Sequence, residues 1–98
     1  MNYLNSILSP EDVDDIIDTF EEEVLLTLDD NNVQKIWDYL QKQNIDFVED
    51  IVIQYADLFV LPFEDFVERF ERLKDKYFAN FVMYLAFHME ILEEMCEN

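Results

Sequence analysis

Among 98 residues there is no glycine. Glycine is the residue that takes a positive φ without steric cost, so this chain has no free choice at tight turns. Two-residue hairpin loops and glycine-rich phosphate cradles are strongly disfavoured. Any turn that needs a left-handed residue must use Asn or Asp, whose short polar side chains tolerate it. Helices joined by short Asn/Asp-rich connections satisfy this constraint best. The expected class is all-α, a compact bundle of four or five short helices, with residues 1–98 forming a single acidic helical domain.

Helical periodicity agrees. Ser9 is a good N-cap, Pro10 suits a first helical position, and Asp12 falls at the third. Val13, Ile16, Ile17, Phe20, Val24 and Leu28 then recur at helical spacing, predicting one amphipathic helix over roughly 10–28. "LDDNN" at 28–32 punctuates it. A second helix carries Val33, Ile36, Trp37 and Leu40 and ends near Gln43–Asn44. A third, capped by Asp46, carries Phe47, Val48, Ile51, Val52, Tyr55, Leu58 and Phe59. Pro62 opens a fourth, striped by Phe63, Phe66, Val67, Phe70, Leu73 and Tyr77. On it Asp65–Arg69 and Glu68–Arg72 are i,i+4 pairs in the better orientation.

The last stretch, "FANFVMYLAFHMEILEEMCEN", reads as helix and is apolar nearly all round from Phe81 to Phe87. Such a helix is central in a core or shared with another chain. Phe81, Tyr84, Phe87 and Ile91 are therefore candidates for an oligomer interface, as in a homodimer. Phe47, Phe59, Phe63, Phe66, Phe70, Met83, Phe87 and Met89 read first as core, with the C-terminal surplus available for a partner groove or dimer seam.

Charge narrows the partners. The chain has 24 acids against 6 bases, a net charge of −18. That field opposes phosphate backbones and anionic lipid and favours a basic partner. No Lys or Arg precedes Lys35, yet eight carboxylates lie between residues 11 and 23. On one helix they would span roughly 18 Å, one charge per about 2.3 Å, against about 1.7 Å for duplex DNA. An ordinary solvated face mixes signs, because pairing relieves repulsion. Glu11, Asp14, Asp15, Asp18, Glu21 and Glu22 are thus the candidate partner-binding residues, facing a basic, nucleic-acid-binding protein. Asp29, Asp30, Glu90, Glu93, Glu94 and Glu97 would extend the field if the fold brings them near. The stretch "ERFERLKDKY" at 68–77 holds Arg69, Arg72, Lys74 and Lys76, but Glu68, Glu71 and Asp75 interleave with them. It reads as a solvated face laced with ion pairs.

Residues 33–77 contain "DYLQKQNI", then "EDIVIQYADLF", then "FEDFVERFERLKDKY". This succession resembles one repeat of the mitochondrial transcription termination factor family and its small bacterial relatives. The family pattern places a glycine at the turn, where Asn44 stands here, and a proline where Ala56 stands. The resemblance covers slightly under half of the chain. It implies a helix topology, and in a family member a stacked solenoid with a basic face that binds nucleic acid. A lone repeat cannot bury its faces against neighbours, and this chain lacks the basic face. No binding residue is carried over.

Chemistry has little to stand on. His88 and Cys96 are eight residues apart and no Ser follows Ser9, so no nucleophile–base pair is apparent. Cys96 has no cationic sequence neighbour to lower its pKa and reads as inert. His88 reads as a core or interface residue. "DDNNV" lacks the glycine and the distal acid of a calcium loop. No metal or cofactor is expected, and no enzyme activity. A lone thiol, no basic-then-apolar N-terminus and no apolar run beyond seven residues point to a cytoplasmic, non-membrane protein. The expected function is non-catalytic: an acidic face engaging a basic partner, in its sharpest form a nucleic-acid mimic that inhibits a nucleic-acid-binding protein. The alternatives are a nucleic-acid-associated regulator with a termination-factor-like repeat, or a structural homo-oligomerisation module.

Overall fold

A computed structural model describes residues 2–77 and 80–96. The described residues form seven α-helices: α1 (Asn2–Ile7), α2 (Pro10–Thr19), α3 (Glu22–Thr27), α4 (Asp30–Lys42), α5 (Val48–Tyr55), α6 (Phe63–Tyr77) and α7 (Phe81–Phe87). A first 3-10 helix (Ala56–Val60) follows α5 directly, and a second (Met89–Cys96) ends the described chain. The class is all-α, divided into more and shorter pieces than four or five helices. No helix among the described residues is long and apolar enough to cross a membrane.

The caps explain where several helices begin and end. Ser9 holds the extended conformation of an N-cap, and its hydroxyl accepts from the Asp12 amide at 3.2 Å. Asp29 caps α4 by accepting from Asn31. Asn44 sits at φ 65° and Asn80 at φ 64°, so the two left-handed positions among the described residues both fall on asparagine. At Asn44 the geometry is a Schellman motif. The Asn44 amide donates to the Gln41 carbonyl at 3.0 Å and the Ile45 amide to the Leu40 carbonyl at 3.4 Å, while Ile45 and Leu40 are both buried. Asn44→Gly should therefore leave stability unchanged or raise it, whereas Asn44→Ala should cost about 1 kcal/mol for a Cβ in the left-handed region. Urea midpoints of the two variants check the order.

Three expected helices are interrupted. The stretch 10–28 breaks at Phe20 and Glu21, both extended, so α3 leaves at a new angle. Leu25 and Leu28 then pack inward, α3 lying on the first 3-10 helix, and Ile17 is left 49% exposed instead of joining the stripe. The third helix begins after Phe47, with no side-chain cap from Asp46, and tightens to 3-10 winding at Ala56. That change turns the consecutive residues Leu58 and Phe59 both into the core. The last stretch breaks at His88. Of that stretch, Phe78, Ala79, Glu97 and Asn98 lie outside the described residues.

The core runs between these pieces. α1 closes one end against α4: Leu4 is buried, Tyr3 sets its ring edge-on to Trp37, and the Tyr3 amide donates to Asp30 at 3.1 Å. α2 packs on α5 through buried Val13 and Ile16 facing a helix whose Val48, Ile51 and Val52 are buried. α4 and α6 enclose the aromatic centre. Phe66 stacks on Phe70 at 5.9 Å and tilts against Phe59 at 6.1 Å, and Phe70 meets Phe81 at 5.4 Å. Tyr39 presents its edge to Phe63, Phe66 and Phe70. Its hydroxyl donates to Glu71 at 2.5 Å, and burial first, then that carboxylate, holds its pKa well above the ordinary tyrosine value.

Candidate acidic interaction face

Five of the expected acids lie on α2 and belong to no ion pair among the described residues. α2 packs by Val13 and Ile16, which turns Glu11, Asp14, Asp15 and Asp18 to solvent, with Asp12 half-buried near the cap. Glu21 and Glu22 are also exposed but belong to the N-cap and first turn of α3. The six candidates therefore do not form one continuous row. From Glu11 to Asp18 the five acids of α2 span about 10 Å, one per roughly 2 Å, a density near that of duplex DNA but held over barely two turns. The row expected along a single helix is corrected by the break at Phe20–Glu21.

The helix beneath α2 is α5, which exposes Glu49 and Asp50. Sequence reasoning missed these two because the pairing of α2 with α5 is a tertiary fact. Glu90 and Glu94 are engaged elsewhere: Glu90 with His88, and Glu94 with Lys76 and Tyr77. Glu97 lies outside the described residues.

The acids of this region divide by their structural use. Glu11 and Asp12 occupy the first turn of α2, and Glu22 and Glu23 the first turn of α3. There the positive end of each helix dipole stabilises them. Asp14, Asp15 and Asp18 have no such role. Asp18 lies in the last turn of α2, where the dipole disfavours an anion and no basic residue offsets it. Glu11–Asp15 and Asp14–Asp18 are like-charge pairs at i,i+4, which destabilise a helix.

Four of the six bases are committed to internal work. Arg72 pairs with Glu68, and Lys74 with Glu71 at 3.5 Å and with Gln43 at 2.7 Å. Arg69 does not reach Asp65 as its spacing suggested; its guanidinium donates to the Met95 carbonyl and ties α6 to the second 3-10 helix. Lys76 donates to Glu94, and that bond, with the one from Tyr77, holds the Glu94 carboxyl below its usual range.

The expected oligomer residues separate into two pairs. Phe81 and Ile91 are buried in the core, which corrects their assignment to an interface. Tyr84 and Phe87 are exposed, at 41% and 78%, with Met83 at 64% beside them. The apolar helix is thus half core: Phe81 and Leu85 point inward and the other face is open. His88 is not in the core. It caps α7, tilts its ring against Tyr84 at 4.5 Å, and sets Nδ1 3.3 Å from Glu90. At Cys96 partial desolvation and the nearby Asp57 carboxylate raise the thiol pKa, outweighing Arg69.

Comparison with protein-family models, with curated proteins and with solved structures finds no match.

Proposed function

We propose that this chain is a non-catalytic, cytoplasmic interaction module whose acidic face on α2, flanked by α3 and α5, binds a basic partner. In its sharpest form the face substitutes for nucleic acid in the groove of a nucleic-acid-binding protein. One observation carries the reading. Asp14, Asp15 and Asp18 are exposed, repel one another along α2, and pair with no cation among the described residues, while four of the chain's six bases, Arg69, Arg72, Lys74 and Lys76, bind other groups of the fold. Charges that lower helix stability and support no contact of the fold are best accounted for by a contact outside it.

Stability and binding should then move in opposite directions. Changing Asp14, Asp15 and Asp18 together to Asn relieves the like-charge pairs and the unfavourable helix end, so the melting temperature should rise slightly. Capture of basic nucleic-acid-binding proteins from lysate at low salt should fall by about tenfold or more, since each lost close charge pair weakens an interface appreciably. The captured protein, once isolated, should lose its DNA or RNA binding in the presence of this chain and regain it when the nucleic acid is in excess. Undiminished capture by the triple variant, or a captured protein that holds nucleic acid and this chain together, rejects the decoy. Direct binding of DNA or RNA by this chain at physiological salt would favour the regulator that the termination-factor resemblance implies.

A further inference from the structure

We propose that α7 and the end of α6 form a self-complementary surface on which a second copy of this chain docks. From Tyr77 to Met89 the sequence has no Asp, Glu, Lys or Arg, the longest such run in a chain with 30 of 98 residues charged. Tyr77, Asn80, Met83, Tyr84, Phe87 and His88 from this run line a shallow groove of about 310 Å³. Tyr77 stacks on Tyr84 at 5.0 Å and Tyr84 tilts against His88 at 4.5 Å, so the floor is a row of three rings in contact. Phe87 stands out of the same patch, more exposed than any other aromatic residue described.

A two-fold contact needs one patch to carry both a projection and a recess. Phe87 supplies the projection, and the groove beside it is wide enough for an aromatic ring. Charge selects the occupant. A basic partner is drawn to carboxylates, and none lines this groove. Around it Lys76 faces Glu94 and the His88 ring sits against Glu90, a small share of the acids in a molecule of net charge −18. Two such molecules repel almost everywhere, and this groove is a place where they can meet with no carboxylate in the lining itself. Burying Phe87, Met83 and Tyr84 removes roughly 400 Å² per copy, about 800 Å² in all, below the 1,200–2,000 Å² of a stable complex. The dimer is therefore weak and concentration-dependent. It stands apart from the acidic-face reading, and salt separates the two: screening weakens capture of a basic partner and strengthens association of two anions.

The test is the mass of the full chain by sedimentation equilibrium, from about 10 μM to about 1 mM, at roughly 0.02 M and 0.5 M NaCl, between which the Debye length falls from about 20 to about 4 Å. Mass should approach that of two copies, with a dissociation constant about tenfold smaller at the higher salt. Phe87→Glu should stay monomeric at every concentration with unchanged circular dichroism, while Leu26→Glu, at an equally exposed apolar site on α3, should associate as the parent does. Four results each overturn the proposal: a monomer throughout at high salt, association that weakens with salt, mass that grows past two copies without a plateau, or equal behaviour of the Phe87→Glu and Leu26→Glu chains.

Discussion

Phe66→Ala should destabilise the fold by about 3–5 kcal/mol, the range for truncating a buried aromatic side chain. Phe66 is 1% exposed, and its ring touches Phe59, Phe70 and Tyr39, which come from three different segments. Removing it opens a void that these rings cannot all close, because each is fixed by other contacts: Phe70 by Phe81, and Tyr39 by its bond to Glu71. Single domains have only about 5–15 kcal/mol of stability in total, and this one also carries strong self-repulsion. At roughly 4–8 °C per kcal/mol for a domain of this size, the midpoint should fall by at least ~12 °C. Calorimetry measures it. A fall of only a few degrees would mean that the aromatic centre is not where the fold is held. Phe66→Leu, which keeps most of the volume, should recover much of the loss.

Asn32→Ala should cost about 2 kcal/mol, the second-largest effect at a single residue. Asn32 is half-buried in the first turns of α4 and reaches across to the junction before α6. Its amide nitrogen donates to the carbonyls of Phe59 at 3.2 Å and Leu61 at 2.7 Å, and its oxygen accepts from the Phe63 amide at 2.9 Å. One side chain thus satisfies two carbonyls leaving the first 3-10 helix and one of the amides that open α6. Asn32→Asp separates this role from simple packing. The carboxylate keeps the acceptor but loses both donors, and it brings a negative charge against two carbonyl oxygens. Aspartate should therefore be no better than alanine and sensitive to pH, more stable when protonated. If denaturant unfolding ranks Asp close to the parent at pH 7, the donors are not what joins α4 to α6.

These two residues mark the limits of a reading from sequence. Phe66 was legible: the stripe of Phe66, Phe70 and Leu73 along α6 repeats at helical spacing, and all three are buried. So were Ser9 and Pro10, whose capping chemistry is local, and the use of Asn at left-handed turns, which the lack of glycine compels. Asn32 was not legible. In sequence it belongs to a polar turn signal, and its three partners lie 27 to 31 residues away. α1 was also missed, since six residues with no charge pattern become a helix only where Leu4 and Tyr3 meet α4.

The acidic face shows the same division. Composition and spacing establish that the first helical stretch is anionic and unpaired by nearby bases. The break at Phe20–Glu21 decides which of these anions share one helix, and no periodicity reports it. Likewise the charge-free run after Tyr77 is visible in the sequence, but burial of Phe81 and exposure of Phe87 are not. Local sequence sets backbone preference, caps and the side of a helix that is oily, because those energies arise within a few residues. Where a helix stops, and which of its faces finds a partner, depends on the finite area of apolar surface that the other segments offer. That area exists only once the chain has packed.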